Sequence, residues 1–160
     1  MNIALIFIVV VALLFGLAFL TKRRFGVLGL ALAAGAMLSS LWAATLTPIL
    51  EQAGFNVQAL PLLTLVSVSL VLLPAILLLF SGPSYKEMVP RLIGAFLFAS
   101  LALALLIEPL GSAVILTGQS KEVYDFFAAN RVYIVTLGLV AALVDLLATH
   151  SSRHRKHTKH

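Results

Sequence analysis

From Asn2 to Leu20 the chain runs through nineteen residues without a charge, and Lys22-Arg23-Arg24 follow directly. An uncharged apolar stretch of about 18 or more residues, rising about 1.5 Å per residue as a helix, crosses the roughly 30 Å hydrocarbon layer of a bilayer. The pattern recurs and predicts spans at Asn2–Leu20, Phe25–Leu50, Leu60–Phe80, Leu92–Pro109 and Val132–Thr149. Helices satisfy their own backbone hydrogen bonds in lipid, so the expected fold class is an all-α, polytopic helical membrane protein with about five transmembrane helices.

The breaks between spans are short. Thr21-Lys22-Arg23-Arg24 leaves almost no loop, so the first two helices should form an antiparallel hairpin. Glu51–Ala59 carries Gly54 and Asn56 ahead of Pro61, and Ser81-Gly82-Pro83-Ser84 interrupts the chain again. Pro90 suits the first turn of the following helix, where a missing N–H costs no helical hydrogen bond. Between Gly111 and Asn130, Val123, Phe126 and Phe127 recur at helical spacing among Lys121, Glu122 and Asp125. This segment reads either as a short amphipathic helix in the interface or as an extension of the fifth span.

Composition agrees with the spans. Hydrophobic residues form 61% of the chain and charged residues 11%, against about 25% charged in soluble domains. Residues 1–150 read as a single transmembrane helical domain, and 151–160 as a basic, His-containing cytoplasmic tail. With no cysteine, the chain alone offers no disulfide, thiol catalysis or Cys-ligated metal. The first span lacks a basic stretch before it, and Leu20-Thr21-Lys22-Arg23 is a poor small-residue cleavage site, so it reads as a retained span rather than a signal peptide.

Charge sets the expected direction. With five spans, one side receives Lys22, Arg23, Arg24, Lys86, Arg91, Arg153, Arg155, Lys156 and Lys159, nine in all, and the other only the two residues Lys121 and Arg131. Cytoplasmic loops retain Lys and Arg, which predicts N-out, C-in. The net charge of +5 therefore reads as juxtamembrane, with no specific nucleic-acid partner expected. Lys22, Arg23, Arg24, Arg153, Arg155, Lys156 and Lys159 are the candidate contacts for lipid headgroups. His150, His154, His157 and His160 would share a helical face and invite a metal reading, but four Lys/Arg residues crowd the same tail with no carboxylate to offset them. A disordered polybasic segment on anionic lipid is the preferred reading, with no cofactor and no metal site.

The second span carries the clearest packing signal. Gly29, Ala33 and Ala36, then Gly35, Ser39 and Ala43, follow spacings that let another helix approach closely, within the chain or in a homo-oligomer. Gly94, Ala95, Ala99 and Ala102 repeat the theme in the fourth span. Pro74, inside the third, frees the carbonyl of Leu70 and predicts a kink. Trp42 fits an interfacial belt, and Glu108, just before Pro109, an interfacial position.

Asp145 is the carboxylate inside a span, and an ionisable group there faces a partner or a watery cavity. About one turn from the inner end, it reads as an anchor near His150 and the basic tail, with an ion or proton site as the alternative. No GxxxxGK[ST] loop, HExxH or other catalytic constellation is present, so an enzyme is not expected.

Thr21-Lys22-Arg23-Arg24-Phe25-Gly26, at the turn into a small-residue-rich helix, and Arg91-Leu92-Ile93-Gly94-Ala95-Phe96 resemble motifs of the CvpA-like (colicin V production protein) membrane family. The chain departs from that family's pattern at Pro90, Phe98 and Leu101-Ala102, and in having five spans where four are common. The resemblance implies a small protein of the bacterial cytoplasmic (inner) membrane, connected with export or envelope maintenance. The resulting expectation is a membrane scaffold or complex subunit working through protein partners or self-association. The alternative is a transporter or channel component using Asp145 in a hydrated cavity.

Overall fold

The computed structural model of the chain describes residues 3–55, 61–80, 85, 87–111 and 119–157, with side chains left out over 3–11, 119–120, 123 and 149–157. Among these described residues five helices follow one another: α1 (Ile3–Thr21), α2 (Phe25–Gln52), α3 (Leu62–Leu79), α4 (Met88–Gly111) and α5 (Gln119–His157). Four of them, α2 to α5, are long and apolar enough to cross a membrane, and α1 is a further apolar helix of 19 residues. The fold is all-α and polytopic.

α4 is the central helix. Of its most apolar stretch 61% is buried, against 11% for that of α5. Leu101 through Ile107 are buried at every position, so neighbours enclose this part of α4 on all sides. Small residues make that possible: Ala95, Ala99, Ala102 and Ala104 keep the helix narrow while Phe98, Leu101 and Leu106 fill the space against Phe25, Leu28 and Leu32 of α2. The large apolar side chains left exposed, among them Leu41, Trp42, Leu77, Leu137 and Leu147, form the outer surface that a bilayer would solvate.

The small residues of α2 make close contacts within the chain. A Cβ on Gly29 would stand 3.0 Å from the Cβ of Ala142 on α5. Gly35 lies against the Leu70 and Val71 carbonyls of α3, where Pro74 has removed the N–H that Leu70 would otherwise receive. α3 nevertheless runs unbroken from Leu62 to Leu79. Ala43 is buried, Ala33 half-buried, and Ser39 lines a cavity described below.

Two elements differ from the hydropathy boundaries. α4 starts at Met88, one turn before the apolar stretch, with Pro90 in its first turn. α5 starts at Gln119, so 119–130 extends the fifth helix and is not a separate interfacial one. Gly111 of α4 lies against the Tyr124 hydroxyl of α5, so a side chain there would displace that ring. At the other end the backbone of α5 continues as a helix through His157, into the basic tail. Lys159 and His160 lie outside the described residues, as do the side chains of His150, Arg153, His154, Arg155, Lys156 and His157.

Candidate functional site

Polar side chains gather at two opposite ends of the bundle. At the basic end, where α1 and α3 finish, α2 and α4 begin and α5 passes, the Arg24 side chain does not cap α2. The first α2 amides are met from elsewhere. The N–H of Phe25 donates to the Tyr85 hydroxyl at 3.2 Å, and the N–H of Gly26 donates to Oδ2 of Asp145 at 2.9 Å. A helix N-terminus carries partial positive charge, so a carboxylate there both accepts a hydrogen bond and complements the dipole. Gly26 is required by this arrangement: a Cβ would come 2.6 Å from the Ala142 carbonyl and 3.0 Å from the same Oδ2.

The arginines do the converse. Arg23 donates through Nε to the Leu79 carbonyl and through Nη2 to that of Phe80, each at 3.0 Å, at the C-terminal end of α3. Arg91 donates through Nε to the Phe19 carbonyl at 2.5 Å and stacks its guanidinium 3.8 Å from the centre of the Phe19 ring. Each cation thus meets the negative end of a helix dipole and satisfies a terminal carbonyl. Arg23, half-exposed, is engaged by α3 within the chain, and Arg24 lies 5.4 Å from the centre of the Tyr85 ring.

Tyr85 joins these parts. Its N–H donates to the Lys22 carbonyl at 2.8 Å, and its ring covers Gly94, where a Cβ would be 2.9 Å away. Burial pushes its hydroxyl above the ordinary pKa of 10.0; the Phe25 amide opposes this, and the charge and hydrogen bond of Asp145 add to it. Lys22, at φ 56°, takes the left-handed conformation that turns α1 sharply into α2.

At the opposite end, a cavity of about 400 Å³ opens between α2, α3, α4 and α5. Ser39, Ser40, Thr64 and Ser67 contribute hydroxyls, and Ala36, Val71 and Leu105 apolar wall. At its mouth Arg131 of α5 and Glu108 of α4 pair at 2.5 Å, with Glu108 the more exposed of the two. Along α2, Gly26 and Ser39 are thirteen residues apart, about 20 Å of helix. Asp145 therefore belongs to the basic end and does not line this cavity.

Sequence reasoning singled out Asp145, Gly29 and Gly35 but missed Tyr85 and the pairing of Glu108 with Arg131. The signal for Tyr85 was faint: a polar aromatic in a linker, nine residues ahead of Gly94. No protein family, curated protein or solved structure matches this chain.

Proposed function

We propose that this chain is a non-catalytic integral membrane subunit, a scaffold that binds protein partners through its helices. In this reading the basic end faces the cytoplasm, giving N-out, C-in, as the distribution of Lys and Arg favours. The resemblance to CvpA-like proteins extends the proposal to a bacterial inner membrane and to export or envelope maintenance.

The observation that carries the proposal is the exposure of α5. Its 39 residues span about 58 Å, well beyond the roughly 30 Å hydrocarbon layer, and its apolar stretch is only 11% buried. A helix held along one edge and open along the rest is the natural partner-binding face, whereas the small-residue seam of α2 is already occupied by α3 and α5. The half-buried charges support the same reading: Asp145, Arg23 and Arg91 meet helix ends. A transport role would draw on the 400 Å³ cavity, but Asp145 lies at the other end of the bundle.

Photo-reactive residues placed at Leu137 and Val144, both exposed on α5, test the proposal in intact membranes, with Leu77 on α3 as the control. A discrete protein adduct from the α5 positions is expected and none from Leu77. Adducts with lipid alone at all three positions would contradict it.

A further inference from the structure

The cavity at the Glu108 end has an order to its walls. On α2 the lining runs from Ser40 and Ser39 to Ala36, on α3 from Leu63 at the rim through Thr64 and Ser67 to Val71, and on α4 from Pro109 at the rim through Glu108 to Leu105. Inward of the Leu63 and Pro109 rim, three separate helices change from polar or charged to apolar in step. From Leu63 to Val71 the lining of α3 extends over eight residues, about 12 Å of depth. The volume of about 400 Å³ sits in the lower part of the about 300–1,000 Å³ typical of ligand sites.

We infer that this cavity binds a zwitterionic amphiphile, with its charged head at Glu108 and Arg131 and its apolar part directed toward Val71 and Leu105. The polarity gradient is that of a lipid standing in its own leaflet, head at the surface and chain toward the midplane. A fully polar solute would meet apolar wall at the base, and a hard divalent cation would find a single carboxylate where several oxygen ligands are needed. A purely anionic head would face Glu108, and a purely cationic one Arg131. The ion pair suits a head bearing both charges: a guanidinium has five N–H donors, more than one carboxylate can use, so Arg131 can hold an anionic oxygen while Glu108 accepts from an ammonium. Phosphate with ammonium, as in an ethanolamine phospholipid, has this chemistry, and so does free phosphoethanolamine. The chain separates them, because only the lipid fills the apolar base. The site is distinct from the outer face of α5 proposed to bind protein.

The test is binding to the purified full chain in detergent of three probes: lysophosphatidylethanolamine, lysophosphatidylglycerol of the same chain length, and phosphoethanolamine. The wild-type protein should bind the zwitterionic lysolipid about tenfold more tightly than the anionic one, the scale of one charge-assisted hydrogen bond. Phosphoethanolamine alone should bind far more weakly than the lysolipid. Glu108→Gln should erase the tenfold preference, and Ser67→Phe, which fills the cavity, should weaken both lysolipids. Equal affinity for the two lysolipids in the wild type, or a preference unchanged in Glu108→Gln, would overturn the proposal. Phosphoethanolamine binding as tightly as its lysolipid would also overturn it and assign the site to a soluble zwitterion. Glu108 is exposed, so if Ser67→Phe fails to fold the Glu108 variant decides the matter alone.

Discussion

Oδ2 of Asp145 accepts a hydrogen bond from the backbone N–H of Gly26, the second residue of α2, at 2.9 Å, and so joins the C-terminal third of α5 to the beginning of α2. The two residues are 119 positions apart in the chain. Both chemistry and space hold them together, since a carboxylate satisfies an amide that α2 cannot satisfy itself and a hydrogen atom in place of a side chain lets α5 approach.

Gly26→Ala should therefore loosen this junction. The new methyl would lie 2.6 Å from the Ala142 carbonyl, a backbone atom that yields only if α5 moves. Overpacking of this kind costs about 1–3 kcal/mol. Thermal unfolding in detergent should register it as a lower midpoint than that of the wild type; an unchanged midpoint would show that α5 is not fixed there.

Gly35 and Gly16 give a matched comparison. Gly35 meets the carbonyls of Leu70 and Val71, whereas a Cβ on Gly16 meets nothing within 4 Å. Gly35→Ala should be destabilising by at least about 1–3 kcal/mol, and Gly16→Ala neutral or slightly stabilising because alanine favours the helix. Equal unfolding midpoints for the two variants would remove the close contact of α2 and α3 from the account.

Tyr85 carries a pH signature. Its hydroxyl is held neutral by burial, and its folded pKa lies above the ordinary 10.0. Its contribution to stability is fully present below the unfolded value and is lost as pH rises through the folded one. Stability should fall more steeply above pH 10 in the wild type than in Tyr85→Phe. The variant should also be about 1 kcal/mol less stable at pH 7, where Phe25 loses its acceptor. Parallel pH profiles for the two proteins would contradict this placement of Tyr85.

The spans were legible because lipid imposes a simple demand: uncharged length. α1, α2 and α3 end within two residues of where hydropathy puts them. The same signal misplaced the ends of α5, since hydropathy marks where the bilayer stops and not where the helix stops. Lys121, Glu122, Asp125 and Arg131 interrupt the apolar run without interrupting the backbone hydrogen bonds. The small residues of α2 announced close packing, but not which helix would fill the seam. Asp145 was marked by its cost in lipid, while its partner, a backbone amide with no residue signature, was invisible. The cavity was hidden for a related reason. Serines and threonines on separate helices form a site only once the bundle brings them to one depth.

In the proposed scaffold, Asp145 ties helices together and does not carry an ion. Asp145→Asn keeps an oxygen acceptor for the Gly26 amide and loses the charge facing the helix dipole, about 0.3–1 kcal/mol. Asp145→Ala leaves that amide without this acceptor, at about 1–3 kcal/mol. The decisive measurement sets unfolding midpoint and proton or cation flux in reconstituted vesicles side by side for the three proteins. Midpoints should fall slightly from wild type to Asp145→Asn and clearly to Asp145→Ala, with no Asp145-dependent flux in any of them. A folded Asp145→Asn protein, as stable as the wild type, that has lost a flux the wild type carries would contradict it.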